Sequence, residues 1–444
     1  MKKSISILLF ILCVFAPLRY VSAQENMHPS PAQSQKIVIN GGTIHVGNGA
    51  VINNGTIVIE NGKIKYAGEA SAADNNGSKL IDASGKQVYP GIIASSTNLG
   101  LVEVGAVRAT ADFNELGDIN PSLRSIVAYN TDSKVINTLR TNGVLLAHIV
   151  PRGGSISGTS SVVQLDAWNW EDAAYKMDMG IHYNMPALIN RPGGGGGGFG
   201  RRQQGAPDID PVKLGLERIE ATRKFFREAK AYLAESNHTA VNLKFEAVKG
   251  LFDQSKSFFV HCDLVKEMLV AIDFAKEFNF KLVIVGGSDS WIIPGILKDN
   301  NVSVILNAPH SLPSTDDDDV DQPYKGGAAL QKAGVLFTIC DEAGDGFWQQ
   351  RNIPFQAGTM AAYGLTKEEA LTAVTLSAAK ILGVDDKTGS LEKGKDANIV
   401  ISTGDLLDMK SSVVTAAFIQ GREINLDNKQ TQLFERYKYK YNIK

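Results

Sequence analysis

The chain has 444 residues, 43% of them hydrophobic and 21% charged, with a formal net charge of −2 and a pI near 6.4. That length exceeds one ordinary domain, and the apolar share is that of a folded protein with a substantial core. The near-neutral balance gives no reason to expect nucleic acid as a partner.

The first 23 residues read as a secretory signal. Lys2 and Lys3 form a positive start, Ile5 to Ala16 is an apolar run too short to span a bilayer, and Val21-Ser22-Ala23 is a small-residue cleavage pattern. Cys13 is a weak lipid-anchor candidate, because Leu12 precedes it. Cleavage would remove Lys2, Lys3 and Arg19 and take the charge from −2 to about −5. The mature protein is therefore expected to be exported, periplasmic or secreted, with no membrane span. Two cysteines, Cys262 and Cys340, would remain. They could form one bridge, but two buried thiols are the simpler reading.

Residues 36–88 read as antiparallel β structure. Short strands Val51-Ile52, Thr56 to Glu60 and Lys63 to Ala67 are separated by Asn54-Gly55 and Asn61-Gly62, dipeptides suited to hairpin turns with positive φ. GVLLAHIV and SSVVQLDA follow as strands, and helical patterns lie near 211–236 and 239–253. From Ser257 strands alternate with amphipathic helices, which implies a parallel sheet buried on both faces. Thr366 to Glu369 is a capping box, and Gly383 suits a left-handed helix end. After Gly394 the sequence returns to β. The expected division is a β unit from 36–88 plus 395–430 beside an α/β unit at 89–394. Gly193–Gly198 is read as a loop, and the acidic run TDDDDVD at 315–321 as a solvated loop.

Four pieces of the sequence resemble the amidohydrolase superfamily, closest to its imidazolonepropionase-like and prolidase-like branch. They are NGGTIHVGNGAVINNGTIVIENGKI, the strand after Pro90-Gly91, FFVHCDLVKEMLVAIDFAKEF, and GLTKEEALTAVTLSAAKILGVDDKTGSLEKGKDANIVI. The resemblance implies an α/β fold: a distorted TIM-type (β/α) barrel with a composite β-sandwich formed by both chain ends. It also implies metal-assisted hydrolysis of C–N bonds, with ligands at the C-terminal ends of barrel strands.

The family's metal-binding positions are altered here. Where the family has His-x-His, four residues after Pro-Gly, this chain has Ser96 and Asn98. The strand-five histidine matches His261, but the strand-six histidine falls at Gly286. No bridging lysine or glutamate is evident; Lys244 and Glu246 read as surface residues of a helix. The strand-eight aspartate matches Asp341, with Asp345 as the other register. A bound zinc lowers the pKa of water from about 15.7 to about 7, roughly 12 kcal/mol of activation. Neutral Ser96 and Asn98 ligate poorly and cannot replace it.

His148, ending GVLLAHIV, and His310, after VSVILNAP, are the remaining histidines at strand ends. With His261 they would make a rearranged set for at most one zinc or other divalent metal, Asp341 serving as acid/base. The competing reading turns His148 into the helical layer, leaves His310 on the surface and makes His261 an inherited remnant. Ser96 with His261 is a minor nucleophile pairing, without a third group to orient it. Ser96, Asn98 and Arg351 are candidate substrate contacts. His28, His45, His182 and His238 read as surface or satisfied histidines.

Two functions follow as expectations. One is an exported hydrolase of non-peptide or small-peptide amide bonds. The other is a retired barrel, needing no metal, that binds a small peptide or metabolite or partners an active homologue. Either is compatible with a homo- or hetero-oligomer.

Overall fold

The structure is a computed structural model that describes residues 28–69, 77–189, 210–235, 237–341 and 346–443. The signal segment 1–23, the run Gly193–Gly198 and Asp345 lie outside the described residues.

Two eight-stranded sheets divide the strands between them. The first takes β1 (Ile37–His45), β2 (Val51–Glu60), β3 (Lys63–Glu69), β4 (Lys79–Asp82) and β5 (Gln87–Pro90) from the N-terminal side. It is completed by three strands from the far end, as described below. The second is the barrel sheet: β6 (Ile92–Thr97), β7 (Val144–Ile149), β8 (Ile156–Gln164), β9 (Ala174–Asn184), β10 (Ser257–Cys262), β11 (Lys281–Gly286), β12 (Ser303–Leu306) and β13 (Phe337–Ile339). Its pairing follows chain order from β6 to β13. Ser95 Oγ donates to the carbonyl of Ile339 at 2.8 Å, so a side chain links the two end strands of a nearly closed barrel. β14 (Ile399–Ser402), β15 (Val414–Ile419) and β16 (Arg422–Glu423) return to the first sheet, where β14 pairs antiparallel with β5. Both chain ends therefore build one sheet, which fits the composite sandwich domain. It has its own core, including Ile39, Ile57, Ile59, Val88, Ile399 and Phe418.

Two local expectations change. Asn54-Gly55 is not a hairpin turn but lies inside β2, opposite Gly42 in a stretch of shifted register. A Cβ on Gly55 would sit 2.4 Å from Ile44 Cδ1 on β1 and 3.0 Å from the Gly68 carbonyl on β3, so both flanking strands crowd this position. Asn61-Gly62 does turn the chain, with φ of 52° and 75°. The second long helix, near 239–253, is two short ones, Leu243–Ala247 and Lys249–Phe252.

The barrel sheet is not all parallel. β8 runs antiparallel to β7 and β9. Residues 150–155 and 165–173 are too short for the crossover that parallel neighbours need, so β7 to β9 form a meander. The remaining strands run parallel, separated by helices such as Pro211–Ala234, Val265–Phe278 and Gln322–Ala333. The capping box at Thr366 and the left-handed Gly383 are both present. Cys262 and Cys340 are both buried and not joined in a disulfide. Among the described residues no helix is long and apolar enough to cross a membrane.

Candidate functional site

The C-terminal ends of β6, β7 and β9 to β13 share one rim, joined there by the start of the reversed β8. Three groups of polar side chains occupy it.

The first joins β6 to the segment after β13. Ser96 and Asn98 are both buried. Gln350, in the turn of helix Gly346–Asn352, donates from Nε2 to the carbonyls of Ser96 (3.0 Å) and Asp341 (2.8 Å). Asp341 is buried, and its Oδ2 accepts from Gln356 Nε2 at 2.6 Å. Burial raises its pKa, against the opposing pull of the Gln356 hydrogen bond and the charge of His310. Both amide atoms of Asn98 are buried without a hydrogen-bond partner, as are Oγ1 of Thr338 and the Oε1 atoms of Gln350 and Gln356. Buried polar atoms left unpaired are costly, so such a concentration needs a physical reason.

The second group is a chain of imidazoles. His148 Nδ1 lies 2.8 Å from the Ser95 carbonyl and Nε2 lies 2.7 Å from Ser160 Oγ. His182 Nε2 contacts the same Ser160 Oγ at 2.8 Å, and its Nδ1 lies 2.8 Å from His261 Nε2. The carbonyl can only accept, which fixes every proton if the rings are neutral. His148 donates to Ser95, Ser160 donates to His148, His182 donates to Ser160, and His261 donates to His182. Burial lowers the pKa of His148 to about 4 and drives that of His182 well down, so both are neutral near pH 7. His182 also stacks on Phe259, ring centroids 4.7 Å apart.

The third group surrounds the strand-six position. Gly286 has φ of 102°, and a Cβ there would lie 2.7 Å from Asp263 Oδ1. That carboxylate accepts from Ser288 Oγ at 2.7 Å. A backbone in this conformation disfavours any side chain, and the space a histidine would need is taken. Beside it a cavity of about 250 Å³ is lined by Asp263, Ser288, Trp291, Asn307 and Asp318.

The expected metal set does not converge. His148 faces β8 with both ring nitrogens engaged, and the Nε2 of His261 is held by His182. His310 is exposed, bonded through Nε2 to Thr359 Oγ1 at 2.7 Å. It lines a groove with Phe355 and Met409. Among the described residues no three or more His, Cys, Asp or Glu side chains are grouped so as to hold a metal. The donors present do not supply the metal ligands that the resemblance implies. Arg351 lies over the Trp348 ring, 5.4 Å from its centroid, and its carbonyl accepts from Asn142. Lys244 donates to the Ile119 carbonyl, and Glu246 accepts from the Tyr232 hydroxyl.

His182, Ser160, Gln350 and Gln356 were not singled out by the sequence. His182 sits in GIHYN, a strand ending in the same style as VLLAHI, and that parallel was the available signal. The two glutamines sit in helical turns, where nothing local marks them.

Residues 327–424 match the profile described as the Amidohydrolase family. No curated protein sequence matches the chain. Its fold is similar to a crystal structure of an amidohydrolase from Thermotoga maritima, with TM-score 0.74 and 23% identity over 88% of this chain and 99% of that one. A prolidase complexed with N-methylphosphonate-L-proline gives TM-score 0.52 and 15% identity, covering 88% of this chain and 99% of that one. A Xaa-Pro dipeptidase with bound methionine gives 0.51 and 15%, covering 87% and 99%. The C-terminal part of the chain thus matches the Amidohydrolase family profile, and the barrel with its composite sheet is similar in fold to amidohydrolase and prolidase structures.

Proposed function

We propose that this protein binds a small amide- or hydroxyl-bearing peptide or metabolite in its barrel mouth, without the metal pair used by its family. One observation carries the reading: the Asn98 amide is buried with neither its donor nor its acceptor paired, at the position where the family places a metal ligand. A ligand amide or hydroxyl would pair with both atoms. Unpaired oxygens of Thr338, Gln350 and Gln356 supply further neutral acceptors on the same rim. Gln350 holds β6 against the Asp341 segment, which positions the two sides of the mouth. The imidazole chain from His261 to Ser95 fixes the floor on the β7 to β10 side. Residues 1–23 support export as part of this proposal, and pairing with an active homologue is compatible with it.

A second reading keeps C–N bond hydrolysis, with at most one divalent metal and Asp341 as acid/base. It is favoured by Asp341 itself, which occupies the strand-eight position with a raised pKa and an oriented carboxylate. The two separate in one experiment. The purified protein is titrated calorimetrically with small amides and dipeptides before and after zinc or manganese loading. Saturable binding without metal, lost in Asn98→Leu, with less than about 0.1 equivalents of metal retained, supports the binding protein. Stoichiometric metal with amide turnover that Asp341→Asn abolishes overturns it in favour of the hydrolase.

A further inference from the structure

Among the described residues, the hydrogen bonds that tie the helix Lys429–Tyr441 to the body lie at its start. Its cap, Asn428, accepts from the amides of Gln430 and Thr431 and donates to Thr141 Oγ1, while Thr138 Oγ1 donates to Gln430 Oε1. Beyond those contacts none of its residues is buried. At about 100° per residue, Leu433, Phe434, Tyr437 and Tyr441 fall within one narrow stripe. All four are exposed, Phe434 by 63% and Tyr441 by 61%.

Lysines border this stripe on both sides. Lys438 lies over the Phe434 ring at 5.7 Å, and Lys440 lies over Tyr441 at 5.1 Å. The helix carries Lys429, Arg436, Lys438 and Lys440 against the single acid Glu435, in a chain whose net charge is −2. The positive charge is thus local to this helix. A 13-residue helix is marginal by itself, and an aromatic stripe left in water adds nothing to its stability. A second copy of the helix packed antiparallel on the stripe would set lysine borders against lysine borders. A flat anionic surface has no such conflict, because it accepts the aromatic rings and pairs with the flanking ammonium groups.

We propose that this helix is an interfacial anchor. Leu433, Phe434, Tyr437 and Tyr441 enter the headgroup region of an anionic lipid bilayer, and Lys429, Lys438 and Lys440 meet its phosphates. The test is co-sedimentation of the full chain with vesicles of phosphatidylcholine, alone or mixed with phosphatidylglycerol. The expected result is binding to the mixed vesicles that is at least about tenfold stronger than to phosphatidylcholine alone and weakens with salt. Phe434→Ser with Tyr437→Ser should abolish it, and so should Lys438→Glu with Lys440→Glu. These residues are exposed, so circular dichroism and thermal unfolding should show the variants folded. No binding, equal binding to both vesicle types, or self-association that the serine variant dissolves would overturn the proposal, the last by assigning the stripe to a second copy.

Discussion

Two buried polar clusters in this molecule are built on opposite plans. At the junction of the two sheets, Asp166 lies between two arginines. It accepts from Arg140 at 2.6 Å and from Arg422 at 3.1 Å, and also from the Ser30 amide at 2.9 Å. One carboxylate thereby joins the helix Lys134–Arg140, the end of β8, and β16 of the composite sheet. At the barrel mouth, apart from the carboxylates of Asp341 and Asp263, the polar groups are neutral: amides, hydroxyls and two uncharged imidazoles, several with unpaired atoms. Charge has been placed where it fixes two bodies to one another. Incomplete hydrogen bonding lies where, on the proposed function, a ligand would complete it.

The largest effect should come from the junction. Asp166→Ala leaves two guanidinium groups without their shared anion in a buried setting, and should cost about 3–5 kcal/mol in urea unfolding. A cost below about 1 kcal/mol would mean that the arginines find other partners and that this cluster does not hold the sheets together. The next largest tests the mouth. Gly286→His returns the family residue to the strand-six position but should not return the metal. The positive φ and the Asp263 carboxylate oppose it, with an expected loss of about 2–4 kcal/mol. A Gly286→His protein of normal stability that binds zinc stoichiometrically would erase the contrast between the two clusters.

Asn98→Leu should act in the opposite direction. Replacing an unpaired buried amide by an apolar group of similar size removes a desolvation cost. The ligand-free protein should gain about 1 kcal/mol in thermal or urea unfolding while losing the binding proposed for the mouth. A loss of stability instead would show that Asn98 is already satisfied.

How far the sequence disclosed these features depends on the range of the interaction behind each. The Thr366–Glu369 box, the Gly383 cap and the Asn61-Gly62 turn are local, and each is where its residues place it. The return of the C-terminal strands was legible because a β pattern reappears after a long α/β stretch. The reversal of β8 was not, because alternation in SSVVQ reads the same in both directions; only its short flanking connections carried the information. Asn54-Gly55 misled for a related reason: a glycine crowded by its neighbours across the sheet looks the same as a glycine forced by a turn. At the mouth, the absence of the family histidines was plain in Ser96, Asn98 and Gly286. The engagement of His148 was not, since its partners lie on neighbouring strands at Ser95 and Ser160.

The smallest predicted effect concerns a second link between the composite sheet and the barrel. His45, ending β1, approaches Glu368 Oε1 through Nδ1 at 2.6 Å and Gln87 Oε1 through Nε2 at 2.9 Å. Glu368 belongs to the barrel-side helix Lys367–Val374. Burial alone would lower the pKa of His45, but the hydrogen bonds to Glu368 and Gln87 and the charge of Glu368 together raise it above 6.5. A raised folded pKa means that the protonated form is favoured by folding. The stabilisation is therefore complete below pH 6.5 and disappears as pH rises through the raised value. Both side chains are partly solvent-accessible, so the amount should stay under about 1 kcal/mol. His45→Gln should flatten this part of the stability profile from about pH 6.5 upward, leaving the acidic limb unchanged. Parallel profiles for the two proteins would mean that His45 contributes no pH-dependent clamp, and that of these two links only the Asp166 cluster holds the sheets together.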